Sequence, residues 1–157
     1  MNINTKRLIK LIQDNSLILL GGLFIAFSLI ACSSEGPRTI RYGQDQCIHC
    51  KMTVSDARFG TQIVTKKGRA YNFDDLQCMV AYVKGGDIAE EDIAEYYLPD
   101  YANNHKLLPA SEVMLLKSES LKSPMRGDIA AFKNKDDLEE AKKIHGGEEL
   151  SWKDLWE

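Results

Sequence analysis

The chain repeats itself, and the repeat limits the folds open to it. Phe73-Asp74-Asp75-Leu76 leads through a helical stretch to Gly85-Gly86, and Asp136-Asp137-Leu138 leads through another to Gly146-Gly147. Leucine precedes the first glycine by nine residues in one copy and eight in the other. An acidic pair at the start complements a helix dipole, and a glycine pair supplies a left-handed stop. Leu76, Met79, Val80 and Val83 share one face at the i, i+3, i+4, i+7 spacing. Residues 61–65 and 69–73 are rich in β-branched and aromatic side chains and flank Lys67-Gly68, the composition of a hairpin. Residues 113–117 and 128–132 are the matching strands of the second copy, and 95–98 and 149–152 the strands that follow each helix. The pattern is ββαβ twice. It predicts an α+β fold of two small related units, residues 45–104 and 105–157, each a short antiparallel sheet packed on one helix.

The N-terminus has a different character. Lys6, Arg7 and Lys10 precede an apolar run of 14 residues, 17–30, which is short of the roughly 20 that span a bilayer. Residues 1–31 therefore read as a cleaved export signal. The run ends in Leu29-Ile30-Ala31-Cys32, which resembles the bacterial lipobox, so Cys32 is the expected site of lipidation. Acyl chains gain about 0.8 kcal/mol per buried methylene, enough in combination to hold a domain at a membrane surface. Residues 32–44, beginning Cys32-Ser33-Ser34-Glu35-Gly36-Pro37, are the expected tether. Loss of residues 1–31 leaves 17 Lys+Arg against 22 Asp+Glu, an acidic balance that argues against a nucleic-acid partner. The expected location is the cell envelope, lipid-anchored and facing the periplasm or exterior; Ser33 after the acylated cysteine favours the outer membrane in a host with two membranes.

Cys47, Cys50 and Cys78 remain, and an odd number cannot all pair within one chain, even in an oxidising compartment. Cys47-Ile48-His49-Cys50-Lys51-Met52 concentrates two thiols, an imidazole and a thioether in six residues. Thiolates and thioethers are soft donors that select copper(I) over ions preferring oxygen. Three rival readings stand beside that one. A structural zinc site needs four protein ligands, and His105 and His145 stand alone. A redox pair belongs at a helix start, and Thr53-Val54-Ser55 does not open one. A Cys47–Cys50 disulfide would close too small a loop to stabilise much. Metal binding is the preferred reading.

Met125, in Ser123-Pro124-Met125-Arg126-Gly127, sits in a turn between proline and glycine instead of on an apolar stripe. It becomes a ligand only if the fold brings it back to Cys47. Met79 reads as core, while Cys78 is open between a third sulfur ligand and an inert thiol. Asp74-Asp75 and Asp136-Asp137 read as helix-start residues, not as acid–base pairs, and no nucleophile triad or phosphate-binding loop is present. No catalytic residues are expected.

Together, Cys32, the 47–52 cluster, Tyr71-Asn72-Phe73-Asp74-Asp75-Leu76-Gln77-Cys78-Met79, Ser123-Pro124-Met125 and Gly146-Gly147 resemble the landmarks of the accessory lipoproteins of nitrous oxide reductase, the NosL family. The resemblance runs from about Tyr42 onward. It implies two related ββαβ domains and a non-enzymatic metallochaperone that delivers copper(I) for the copper–sulfur centre of nitrous oxide reductase, working with a membrane transporter complex. Carried over by position, Cys47 and Met125 are the first expected ligands, followed by His49, Cys50 and Met52. Family members often have glycine where this chain has Lys51 and Arg126. The alternative from another class is an envelope thiol–disulfide oxidoreductase cycling Cys47 and Cys50.

Overall fold

A computed structural model describes residues 36–157; the expected signal and Cys32 lie outside the described residues. The hairpin around Lys67-Gly68 is formed by β1 (Thr61–Thr65) and β2 (Ala70–Phe73), antiparallel with Thr61 opposite Phe73. Gly68 takes the positive φ (+74°) that this turn requires. α1 (Leu76–Lys84) follows, and β3 (Ile93–Pro99) returns antiparallel along the other side of β1. β4 (Leu107–Pro109) pairs with β3 and completes a four-stranded sheet of order β2-β1-β3-β4. The second unit repeats the plan: β5 (Met114–Lys117), β6 (Ile129–Phe132), α2 (Lys135–His145) and β7 (Glu148–Leu150), with sheet order β6-β5-β7. ββαβ thus occurs twice, with the first strand of each unit central in its sheet. The architecture is the expected α+β. No helix among the described residues is long and apolar enough to cross a membrane.

Three local features differ from the sequence reading. The expected boundary between residues 104 and 105 leaves β4 on the far side of the sheet that it completes, because its backbone hydrogen bonds go to β3. The strand expected over 149–152 stops at Leu150, because the Ser151 N–H donates to Asp154 Oδ2 (2.7 Å) and turns the chain. Trp152 and Trp156 then pack on Tyr96, with ring centroids 5.2 and 5.8 Å away. The repeat also has another register. Phe73 and Phe132 each end the second strand of their unit, and two bend residues separate each from its helix. On that register Asp75, the N-cap of α1, corresponds to Asn134, the N-cap of α2, and Asp136-Asp137 fall in the first turn of α2. Anchoring the repeat on leucine therefore slips it by three positions. The fully buried place of Met79 in α1 is taken in α2 by Leu138.

Alternation along the strands divides the second sheet between two cores. Leu115 and Ala131 face the core that α1 supplies with Leu76, Met79 and Val83, while Leu116, Ala130 and Phe132 face Leu138 and Ala141 of α2. The second sheet therefore lies between α2 and the first unit. The Tyr101 N–H donates to Ala131 O (2.8 Å) and ties the chain leaving the first sheet to the second. Burying each of Phe73 and Phe132 contributes roughly 2–3 kcal/mol by removal of apolar area from water.

Candidate metal centre

Residues 47–52 close on themselves. The Cys47 N–H donates to Met52 O (2.8 Å), the Lys51 N–H donates to Cys47 O (3.0 Å), and Gln46 and Thr53 form an antiparallel bridge beyond. The reversal needs a left-handed residue, and Lys51 supplies it at φ 65°. For a residue with a side chain that conformation costs about 1–2 kcal/mol. The Ile48 N–H donates to Asn72 O (2.9 Å), so the turn is docked on the end of β2, next to the start of α1. The Cys47/Cys50 pair occupies a turn and does not open a helix.

Docking the turn there brings a third thiol into reach. Cys78 is the third residue of α1, and the Sγ atoms of Cys47, Cys50 and Cys78 lie within 4.8 Å of one another. All three are free thiols. Cys47 and Cys78 are buried, at 0% and 2% exposure, and Cys50 is half-buried and gives the cluster its opening. Spacing alone leaves Cys78 open between a ligand and an inert thiol. The cue available in the sequence was its place in the first turn of a helix that directly follows a strand, combined with an odd cysteine count.

The three sulfurs are electrostatically unequal. The Cys78 thiol donates to the Cys47 sulfur; the backbone N–H groups of Cys50 and Asp74 and the Cys50 thiol add to this, and together they outweigh burial. The Cys47 thiol is pushed down to about 5 from an ordinary 9.0. Cys78 moves up, first because its proton is held in that hydrogen bond and then because it is buried beside an anion. Burial pushes Cys50 up as well. Near neutral pH the cluster therefore holds one negative charge, on Cys47. Asp74 lies beside it: burial raises its carboxyl, the negative Cys47 adds to the shift, and the Ser55 N–H opposes it. Asp74 Oδ1 is a buried side-chain oxygen without a partner among the described residues. A second anion at that spot would oppose the thiolate.

The other expected ligands are distributed around this cluster. His49 is exposed, its ring edge-on to Tyr82 at 6.4 Å between centroids. Met52 is 57% exposed. Met125 is half-buried against the core that includes Cys47 and Cys78, in a loop hydrogen-bonded to the N-terminus of α1. The fold thus joins Cys47 and Cys50 to Cys78, packs Met125 on the same core, and leaves His49 and Met52 at the surface beside the turn. Arg126 shares with Lys51 both exposure and a left-handed backbone, at φ 58°.

A profile of the NosL family matches residues 39–157. Among solved structures the fold is similar to the crystal structure of the copper chaperone NosL from Shewanella denitrificans, with a TM-score of 0.62 and 18% sequence identity, over 75% of this chain and 93% of that one. No curated protein matches the chain.

Proposed function

The chain belongs to the NosL family, and from that membership and its three-thiol cluster we propose that it is a non-catalytic copper(I) carrier. The observation that carries the reading is a set of three cysteine sulfurs within 4.8 Å of one another. A metal–thiolate distance of about 2.3 Å puts three sulfurs around one ion roughly 4 Å apart, which this cluster accommodates. Soft sulfur donors favour copper(I).

A carrier must also release its cargo. Cys47 and Cys78 form the closed floor, and Cys50, open to solvent on one side, is the ligand that exchanges with a partner's thiol or thioether. Met125 completes the site from the second unit. On this reading the recipient is the copper–sulfur centre of nitrous oxide reductase, reached with the membrane transporter complex that serves it. Lipid on Cys32 keeps the carrier at the envelope membrane, outside the cytoplasm.

One observation favours a second reading, thiol–disulfide exchange: a lowered Cys47 thiol lies beside two others. Its complete burial opposes attack on an external disulfide. An anaerobic copper(I) competition titration on residues 33–157, with a chromophoric chelator, separates the two. The carrier reading expects tight one-to-one binding that Cys47→Ser and Met125→Ala both weaken, with thiol exchange unaffected by Met125→Ala. Reduced, intact protein that cannot compete with the chelator would put thiol exchange first.

A further inference from the structure

Three segments carry the sulfurs of the proposed site, and one carboxylate holds two of them, the start of α1 with Cys78 and the loop with Met125. Asp75 is 1% exposed. Its Oδ1 accepts the Cys78 N–H (3.1 Å), and its Oδ2 accepts the Ser123 hydroxyl (2.7 Å) and the Met125 N–H (3.0 Å). We infer that Asp75 is a positioning residue that sets the Met125 thioether against the thiol cluster, which deepens the carrier reading and rests on it.

The loop needs such a hold. Lys122, Arg126 and Asp128 all have left-handed backbones, at φ 52°, 58° and 52°, which residues other than glycine adopt at a cost. Reciprocal bonds close the loop: the Ser123 N–H donates to Asp128 Oδ1 (2.8 Å) and the Asp128 N–H to Ser123 Oγ (2.9 Å). These bonds give the loop its shape without saying where it docks. Docking comes from Asp75 and from Gly127, where a Cβ would lie 2.8 Å from Gln77 Cβ. Only a residue without a side chain lets the loop come this close to the start of α1.

Capping α1 requires one side-chain oxygen, and asparagine caps as well as aspartate. The second oxygen of Asp75 serves the loop alone. Asp75→Asn therefore separates the two roles, since an amide can accept from the Cys78 N–H but its NH2 group cannot accept from Ser123 and Met125.

The test uses residues 33–157, whose described part, 36–157, lies within one compact unit, with 13C-labelled methionine methyl groups and the same copper(I) competition assay. In Asp75→Asn the helix content by circular dichroism should persist, while the Met125 methyl signal of metal-free protein moves to its mobile, solvent-exposed position. Copper(I) affinity should fall about 10- to 100-fold, the usual consequence of losing a residue that orients a metal ligand. Adding Met125→Ala to Asp75→Asn should then cost nothing further. Ser123→Ala, which removes one bond to the same oxygen, should show a smaller effect in the same direction, and it carries the test if Asp75→Asn fails to fold. An Asp75→Asn loss that is as large without Met125 as with it, or an unmoved Met125 methyl while wild type binds copper(I), overturns this inference alone. Wild type that binds no copper(I) overturns the carrier reading, and the ligand-positioning role with it.

Discussion

Replacing Cys78 by alanine removes the donor that does most to lower Cys47. Cys47 stands at about 5 against an ordinary 9.0, and the hydrogen bond from Cys78 is the largest cause. A hydrogen bond to a charged group contributes about 1.5–3 kcal/mol, or roughly 1–2 pH units at 1.36 kcal/mol each. Cys78→Ala should therefore raise the Cys47 midpoint from about 5 to roughly 6–7. The assay is thiolate absorbance near 240 nm, followed against pH in anaerobic, chelator-treated protein with Cys47→Ser as the blank. Cys50 and Cys78 are both raised, so Cys47 is the thiol expected to titrate below neutral pH. Stability should follow by linkage. A depressed folded-state pKa contributes stability that is fully present above the unfolded value, 9.0, and is lost as pH falls through about 5. Denaturation of the wild type should show that slope, at most about 1.4 kcal/mol per pH unit, and in Cys78→Ala its lower limit should move up in pH. Above pH 9 the raised Cys50 and Cys78 act in the opposite sense, since their contribution is present below the unfolded value and is lost as pH rises. A wild-type Cys47 midpoint near 9, or one that Cys78→Ala leaves in place, would refute the reasoning.

Two predictions concern the backbone. Arg126→Gly relieves a left-handed residue at φ 58° and should leave urea stability unchanged or raise it by about 0.5–1 kcal/mol; a loss above about 1 kcal/mol would show that the Arg126 side chain stabilises the loop. Gly147→Ala should cost about 3 kcal/mol or more, because its Cβ would overlap the Lys117 carbonyl oxygen at a φ of +95°. A thermal melt within 2 °C of wild type would contradict the close approach of Gly147 to β5 (on the order of 4 °C per kcal/mol is expected for a domain this size).

The helix face of Leu76, Met79, Val80 and Val83 was legible because a 3.6-residue period is local, and all four are buried. The Lys67-Gly68 hairpin was legible because one glycine and two β-rich flanks suffice to specify it. The repeat was visible but read three positions out of register, since leucine was matched to leucine. The true equivalents are Met79 and Leu138, which fill the same buried place with different side chains. Packing recognises volume and position, not identity. β4 was missed as part of the first sheet because three residues of strand carry little pattern of their own and depend on β3 for their hydrogen bonds.

By itself the sequence determined the ββαβ pattern, the buried face of α1 and the presence of two thiols in one tight turn, because each is written in neighbouring residues. Only the tertiary structure decided that Cys78 joins Cys47 and Cys50, that Cys47 is the acidic thiol of the three, and that Asp75 reaches both Cys78 and Met125. The reason is physical: a distance between sulfurs depends on how the turn docks on β2, and a thiol's acidity depends on which donors that docking aims at it. Neither is a property of any segment alone.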